Sequence, residues 1–306
     1  MYALTLPQLL EQVKRPGAAM AFNFISLDDM LGIVKAAELE NVPVIIQVTQ
    51  SALARVGIDY MAAIGTAAAR TARVPVCLHL DHATNFALIM QGIKLGFSSV
   101  MIDASARPYE ENVKVTRSVV DVAHSVGVSV EAELGRIGGR EDNAAGDGPD
   151  WFTDPNQAEQ FIAETEVDAL APSVGTAHGL YTGTPDVRFD LIRAIAGRVD
   201  RPLVLHGGSD LPDEVVREAI RSGIRKFNVG TDLRIAHARS LKRMFDSVGE
   251  VSASHALAAR QAGIEAVCEE ARKKLRLLAA RDSEESVETP ARSTEIIPNP
   301  CTHQRD

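Results

Sequence analysis

Three histidines stand where apolar runs end, and together they predict a metal site. His82 closes the segment Leu78 to His82, while His178 and His206 end two later apolar runs and are each followed by glycine. A single histidine at a strand end is more often a hydrogen-bonded structural residue. Neutral imidazoles suit Zn²⁺, however, and a catalytic zinc usually has three protein ligands and one open position. Three such strand ends therefore favour one shared zinc site.

Asp81 places a carboxylate directly before His82. Because successive strand residues point to opposite faces, these two side chains can share a site only where the strand gives way to its loop. The apolar run stops at this point. Two roles stay open for Asp81: a partner that orients a ligating histidine, or a general acid/base. His79 shares the strand parity of Asp81 and is given no role beyond a buried structural one.

Further carboxylates follow on a later strand. Glu131 and Glu133 are two residues apart and therefore face the same side, and buried carboxylates are unfavourable unless they are paired or bind a metal. Asp103 ends the neighbouring predicted strand and could form a second, weaker cation site with Glu133. Salt bridging to Arg136 or Lys114 is the alternative, and the sequence leaves it open.

Two glycine-bearing turns predict a phosphate site. Residues 206–209 follow the seventh predicted strand and residues 228–232 follow the eighth, and both offer backbone N–H groups and hydroxyls. Barrels commonly bind phosphate between these two loops. Gly179, directly after His178, would also let a substrate approach closely.

The segment from Gly138 to Pro149 is long and glycine-rich for a barrel connection. Such loops are often mobile lids that bring a catalytic group over a bound substrate. Glu141 is the candidate group. A solvated acidic loop is the alternative.

The elements that must position these residues alternate regularly between strands and helices. Polar residues lie at nearly every strand end and no GxGxxG follows the first strand, so we expect a closed α/β barrel, the (β/α)8 TIM barrel, rather than an open doubly wound sheet. Ser254 to Ala280 predicts one or two helices, so that residues 1–280 form the barrel domain with a C-terminal helical extension. Residues 281–306 predict a disordered tail. The eight β-rich runs are Ala18 to Ile25, Pro43 to Val48, Val74 to Leu80, Ser98 to Asp103, Ser129 to Leu134, Ala169 to Val174, Pro202 to Leu205 and Arg225 to Val229.

Composition narrows the class of protein. With 306 residues and 45% hydrophobic content, the chain can bury one large core. A net charge of −9 argues against nucleic acid or an anionic membrane as the main partner. Three cysteines without CxxC spacing predict no disulfides and a cytoplasmic location. No apolar run reaches the roughly 18 residues that a membrane helix needs.

Taken together, the motifs resemble the class II, zinc-dependent ketose-bisphosphate aldolases, the family of fructose-bisphosphate and tagatose-bisphosphate aldolases. The resemblance runs from about Ala21 to about Ala238. It rests on residues 21–23, 78–82, 96–103, 130–135, 175–181 and 205–209.

This resemblance implies a set of metal ligands. His82, His178 and His206 would bind the catalytic zinc, and Asp103 and Glu133 would belong to a secondary or displaced position for a second divalent cation. Zinc chelated by the ketose C2 oxygen and C3 hydroxyl can stabilise an ene-diolate as a Lewis acid. A Schiff-base lysine is then not required, and the sixth and seventh predicted strands contain no lysine.

The resemblance also implies the catalytic and substrate-binding residues. Asp81 would be the acid/base at the C4 oxygen, and Glu141 would match a lid glutamate that moves the proton at C3. Asn23 would contact the substrate, and a monovalent cation (Na⁺ or K⁺) could bind nearby. The residues implied to surround dihydroxyacetone phosphate are Gly179, Gly207, Gly208, Ser209, Asn228, Val229, Gly230 and Thr231.

Departures from the family pattern fall around the substrate. They are Thr84 within Ala83-Thr84-Asn85, Arg140, Thr182 in place of a frequent lysine, and Asp210 in place of a common glycine. Arg234 could meet a distal phosphate or make a helical salt bridge. The second half of the substrate, its C4 stereochemistry and a phosphate on the aldehyde product therefore stay open.

The sequence leaves other functions open and also predicts self-association. The substrate could be a different ketose phosphate, or the chain could be a sugar-phosphate-binding paralogue without turnover. A metal-dependent barrel hydrolase is disfavoured, because its HxH pair is missing where residues 21–23 read Ala-Phe-Asn. We also expect a homo-oligomer, a dimer or tetramer, associating through the Ser254 to Ala280 helices.

Overall fold

The computed structural model describes residues 3–141, 144–146 and 152–278, of which 140, 141 and 144–146 are described by their backbone alone. The described strands are β1 Ala19–Asn23, β2 Val44–Thr49, β3 Val76–Ala83, β4 Ser99–Ile102, β5 Ser129–Leu134, β6 Gly138–Glu141, β7 Ala144–Gly146, β8 Ala169–Pro172, β9 Ala177–His178, β10 Leu203–Leu205 and β11 Ile224–Val229. The described helices are α1 Leu6–Glu11, α2 Leu27–Glu40, α3 Gln50–Val56, α4 Ile58–Thr71, α5 Phe86–Lys94, α6 Tyr109–Ser125, α7 Pro155–Thr165, α8 Phe189–Ala196, α9 Asp213–Ser222, α10 Thr231–Asp246 and α11 Ala253–Leu278.

Eight strands close into a barrel in the order β1-β11-β10-β8-β5-β4-β3-β2. Every neighbouring pair is parallel, including the β1–β2 pair that completes the ring. Each of the eight predicted β-rich runs overlaps one barrel strand, so the predicted TIM barrel is confirmed.

Strand alternation divides the core into two layers. Met20 and Phe22 of β1 point outward and pack in the larger cluster between strands and helices. Ala19 and Ala21 point inward and pack with interior residues of other strands. Three leucines of α1 belong to this inner cluster and fill the amino-terminal end of the barrel. Each fully buried leucine of this kind contributes about 1.5–3 kcal/mol.

The third strand differs from the prediction in one respect. It does not end at Leu80 but continues to Ala83, and its register with β4 shifts between Leu80 and Ala83. His82 has a φ of 48° within this irregularity. The bulge breaks the two-residue alternation, so Asp81 and His82 reach one site through a bulge inside the strand rather than through its end.

The predicted C-terminal extension is a single helix. α11 packs against α2 and α10, and ion pairs hold it there: Arg260 with Asp28, and Arg272 with Glu40. The predicted tail, residues 281–306, lies outside the described residues. Among the residues that are described, no helix combines the length and the apolar character that a membrane crossing requires.

A small second sheet joins the segment predicted as a lid to the strand that carries His178. β6 pairs with β7 in antiparallel fashion and with β9 in parallel, in the order β7-β6-β9. Gly139 pairs with His178 and has a φ of 90°. A Cβ atom at this glycine would collide with the backbone of His178, so the close approach of the hairpin requires glycine. Residues 142, 143 and 147–149 of the predicted lid lie outside the described residues.

Candidate active site

The structure brings the three predicted histidines together. His82 comes from the β3 bulge, His178 from β9 and His206 from the residue after β10. One ring nitrogen from each lies within 4.8 Å of the others, and His206 Nδ1 lies 2.8 Å from His82 Nε2. The rings stand edge to face, with centroids 4.5 to 5.8 Å apart.

This donor set fits a divalent zinc ion. Three imidazoles from three different elements converge, and His82 and His178 remain partly exposed while His206 is buried. Burial, followed by the neighbouring His82, lowers the pKa of His206 to about 4. His206 is therefore a neutral imidazole at neutral pH, which is the ligating form.

Asp103 and Glu133 also lie close to His82. Their carboxylate oxygens and a His82 nitrogen are within 4.8 Å of one another. His82 Nδ1 lies 3.0 Å from Asp103 Oδ2, and Ser105 donates to Asp103 Oδ1 at 2.7 Å. Asp103 thus contacts a predicted zinc ligand directly, in addition to its place in the predicted second cation position.

Glu133 is the less satisfied of the two acids. Its Oε2 is buried without a hydrogen-bond partner and lies 3.9 Å from His206 Nδ1. Burial and the nearby Asp103 raise the pKa of Glu133. A buried carboxyl oxygen of this kind fits either a bound cation or a retained proton.

Asp81 is enclosed by three primary amides. Asn23 and Gln47 donate to Asp81 Oδ2 at 2.8 and 3.0 Å, and Asn228 donates to Oδ1 at 3.2 Å. Gln47 also donates to Asn23 Oδ1 at 3.0 Å. The carboxylate is fully buried, and donors from β1, β2 and β11 fix its orientation.

Sequence reasoning missed Gln47 in this set. The available signal was an amide within the otherwise apolar run of β2, because a buried amide requires hydrogen-bond partners.

A buried ion pair beneath the histidines was also missed. Glu131 Oε1 lies 2.9 Å from His206 Nε2, and Lys226 Nζ lies 2.7 Å from Glu131 Oε2. All three side chains are fully buried. Burial opposes ionisation of Glu131, but Lys226 and the bond from His206 outweigh it and lower the pKa of Glu131. His79 lies at the edge of this group, with Nδ1 2.8 Å from Ser99 Oγ.

A pocket beside the histidines collects most of the predicted substrate residues. Its floor includes the start of α10, and Ser209 Oγ accepts from the N–H groups of Gly230 and Thr231 at 3.3 and 3.1 Å. Arg234 also lines this pocket. The lining residues are Asn23, His178, Gly179, Gly207, Ser209, Asn228, Gly230, Thr231 and Arg234.

Two predicted substrate residues do not line this pocket. Gly208 donates its N–H to the Asn228 carbonyl at 3.0 Å. Val229 packs its side chain in the hydrophobic core.

A second, wider cleft of about 390 Å³ also borders His82 and His178. Thr84 and Gln50 both line it, and the Thr84 N–H donates to Gln50 Oε1 at 2.9 Å, so the segment after β3 is joined to the start of α3. Arg136 lines the same cleft beside Glu133. The remaining lining residues are Thr49, Ser51, Ala54, His82, Asp103, Ser105, Ala106, Ile137, Gly139 and His178.

A clasp joins the loop of His178 to the loop of His206. The Tyr181 hydroxyl accepts from Ala177 N at 3.0 Å and donates to the Gly207 carbonyl at 2.9 Å. Tyr181 N donates to Asp210 Oδ2 at 3.2 Å, and Asp210 N donates to Asp232 Oδ2 at 3.1 Å. Gly207 has a φ of 68°, and a Cβ there would collide with the Ala177 carbonyl, so the two loops meet at a position that requires glycine.

The clasp extends to the C-terminal helix. Lys274 of α11 lies 2.6 Å from Asp232 of α10, and both side chains are nearly buried. The C-terminal helix is therefore connected, through Asp232 and Asp210, to the loops beside the pocket at the start of α10.

For two other positions singled out from the sequence, Glu141 and Thr182, the described part of the structure shows no contact with the site. Glu141 ends β6, and its side chain lies outside what the structure describes. Thr182 is exposed and is absent from the described linings of both clefts.

Comparison with known proteins identifies relatives over most of the chain. A family model described as fructose-bisphosphate aldolase class-II matches residues 5–283. A sulfofructosephosphate aldolase from Alkalicoccus urumqiensis is 39% identical over 277 residues, 90% of this chain and 96% of that protein. The D-tagatose-1,6-bisphosphate aldolase subunit GatY from Klebsiella oxytoca is 42% identical over 249 residues, 80% of this chain and 87% of that protein.

Among solved structures, the YdjI aldolase from Escherichia coli K12 superposes with a TM-score of 0.80 at 29% identity. The match covers 93% of this chain and 100% of that one. The similarity in fold therefore extends over most of the chain.

Proposed function

Because the chain belongs to the class II fructose-bisphosphate aldolase family, and is therefore a carbon–carbon lyase, we propose that it is a zinc-dependent aldolase acting on a ketose 1,6-bisphosphate or a close analogue. The reaction reversibly releases dihydroxyacetone phosphate and an aldehyde, glyceraldehyde 3-phosphate where the substrate is of the fructose or tagatose type. The observation that carries this proposal is the convergence of His82, His178 and His206 next to the enclosed carboxylate of Asp81.

The three histidines would hold the zinc. When bound, zinc supplies a Lewis acid for the negative charge that develops at C3 during cleavage. His206 is presented from a buried position and the other two from partly exposed positions, so substrate can enter from the open side. Asp103 and Glu133 would hold a second divalent cation.

Asp81 would move the proton at the C4 oxygen. In the cleavage direction its carboxylate accepts the C4 hydroxyl proton, and in the condensation direction it returns that proton. The amides of Asn23, Gln47 and Asn228 hold the carboxylate in one orientation, and such positioning of a general base contributes typically 10²–10⁴-fold to rate.

The pocket at the start of α10 would take the C1 phosphate. The N–H groups of Gly230 and Thr231 and the helix dipole favour an anion there, and Arg234 adds a guanidinium. Ser209 would share those two N–H groups with the phosphate or turn its hydroxyl toward it.

The far end of the substrate would lie in the wider cleft. The name of the first relative, sulfofructosephosphate aldolase, gives it a ketose phosphate that bears a sulfonate. The name of the second, tagatose-1,6-bisphosphate aldolase, gives it a ketose that bears two phosphates. This cleft is lined by Arg136 and by the hydroxyl-bearing residues Thr49, Ser51 and Ser105. A sulfonate or a phosphate can accept hydrogen bonds from these side chains.

The test is release of dihydroxyacetone phosphate from a panel of substrates: fructose 1,6-bisphosphate, tagatose 1,6-bisphosphate and the 6-sulfonate analogue of fructose 1-phosphate. We expect turnover of at least one, loss of turnover after chelation, and recovery with zinc. An Asp81→Asn variant should keep its zinc and lose at least about 10²-fold in kcat. Undiminished cleavage after chelation, or by Asp81→Asn, would rule the proposal out, and zinc-dependent binding without turnover would identify a paralogue that binds sugar phosphates.

A further inference from the structure

The buried pair of Glu131 and Lys226 has no role in the chemistry described above. The two residues come from β5 and β11, which are separated by β10 and β8 in the barrel order. Neither residue is among the described residues that line the two clefts. A buried ion pair often stabilises a fold no better than apolar residues of similar volume, so stability alone is a weak reason for its presence.

The hydrogen-bond chemistry of the pair fixes where the proton of His206 lies. A lysine ammonium can only donate, so Glu131 Oε2 accepts from Lys226. An ionised carboxylate can only accept, so Glu131 Oε1 must accept from His206 Nε2 at 2.9 Å. The ring proton therefore lies on Nε2, and Nδ1 keeps its lone pair.

The remaining nitrogen faces the metal position. His206 Nδ1 lies 2.8 Å from His82 Nε2 and belongs to the group of three histidine nitrogens. An imidazole ligates through its unprotonated nitrogen. With the opposite tautomer, His206 would point an N–H at the position where a ligand is required.

We propose that Glu131 and Lys226 are positioning residues that act as one unit to hold His206 in its ligating tautomer and orientation. Lys226 holds one carboxylate oxygen, and the other oxygen is thereby presented to the ring. The inference rests on the proposed function, because the tautomer matters to turnover only if His206 is a metal ligand.

Three variants test this unit: Glu131→Gln, Lys226→Met and the combination of both. Zinc affinity is measured by competition with a chromophoric chelator, and the His206 tautomer by nitrogen-15 NMR of the metal-free protein with labelled histidine. We expect each variant to lose about 10–100-fold in zinc affinity, and His206 to become a mixture of tautomers. Because the two residues act as one unit, the combined variant should lose no more than the larger single loss.

Asp29→Asn is the matched control. It removes the charge from another buried pair, in which Asp29 Oδ1 lies 2.6 Å from His237 Nδ1, and neither residue of that pair bonds to Glu131, Lys226 or His206, so it should leave zinc affinity and the His206 tautomer unchanged. If Lys226→Met fails to fold, the nearly isosteric Glu131→Gln and the uncharged combination still give both readouts.

A folded Glu131→Gln protein with wild-type zinc affinity and an unchanged His206 tautomer would overturn the inference. A purely structural pair would lower the free energy of unfolding and leave both readouts in place. Failure of the wild-type protein to bind zinc would instead overturn the proposed function, and the NMR result would still decide the inference about the tautomer.

Discussion

Glu133 is a buried acid whose protonation should be visible in the stability of the metal-free protein. Burial and Asp103 raise its pKa in the folded state. At a pH below the ordinary pKa of glutamate, Glu133 holds its proton in both the folded and the unfolded protein. As pH rises above it, the unfolded state loses that proton while the folded state keeps it, so stability falls as pH rises toward the folded pKa.

We therefore expect Glu133→Gln to stabilise the chelator-treated protein at pH 8 and to have little effect at pH 4.5. The glutamine keeps the shape of the side chain and removes its titration. Urea unfolding at the two pH values measures the difference in unfolding free energy. Equal stabilities of the two proteins at pH 8 would contradict the raised pKa.

The residues of the proposed site were largely predictable as candidates from sequence. Candidate ligands and bases such as His82 and Asp81 interrupt apolar runs, and such interruptions are visible without a structure. The residues that support them were not, because their partners come from distant parts of the chain. Lys226 and Glu131 are 95 residues apart, and only closure of the barrel brings them into contact.

Among the strands and helices, the β3 bulge is one feature that the sequence did not reveal. The strand rule puts Asp81 and His82 on opposite faces, and the expected resolution was the end of the strand. The structure instead keeps the strand to Ala83 and places His82 at a φ of 48°. Asn, Asp and His are the non-glycine residues that adopt this region most readily, so the residue type permits the bulge without predicting it.

The clasp between loops predicts an effect on substrate affinity. Asp210 stands where the family resemblance leads one to expect glycine, at a φ of 59°, and it accepts from Tyr181 N. Asp210→Gly should relieve backbone strain but release the Tyr181 loop beside the pocket proposed to bind the C1 phosphate. A lost hydrogen bond of about 0.5–1.5 kcal/mol should raise the KM for the ketose phosphate roughly 2–10-fold with little change in kcat.

Steady-state kinetics and thermal unfolding separate these two effects. Asp210→Asn is the control, because asparagine tolerates positive φ and keeps an oxygen that accepts from Tyr181. It should retain the wild-type KM, and Asp210→Gly should unfold no lower in temperature than the wild type. A wild-type KM in the glycine variant would mean that the clasp does not position the pocket.

At the scale of the whole molecule, the barrel explains why strand ends carry the site. The carboxyl ends of parallel strands meet at one rim, so histidines 124 residues apart, His82 and His206, become neighbours. Regular alternation of strands and helices made this topology predictable. The plug formed by α1 and the β6–β7–β9 sheet were not predicted, because short elements in glycine-rich or terminal segments lack periodicity.

The structure narrows the surface through which the expected homo-oligomer would associate. The apolar face of α11 packs within the chain against α2 and α10, so that face is not available for association. Exposed apolar residues remain beside it: Leu257 of α11 is 72% exposed, and Leu27 and Leu31 of α2 are exposed as well. The Arg260–Asp28 ion pair brings these parts of the two helices together.

We expect the protein to sediment as a dimer or tetramer and Leu257→Glu to shift it to a smaller species, because a buried charge at an apolar interface is unfavourable. Val126→Glu is the matched control, since Val126 is 59% exposed at the end of α6, on a different helix; it should leave the sedimentation coefficient unchanged. Sedimentation velocity at several concentrations measures both. A wild-type monomer would contradict association itself, and an unchanged Leu257→Glu oligomer would place the interface elsewhere on the barrel.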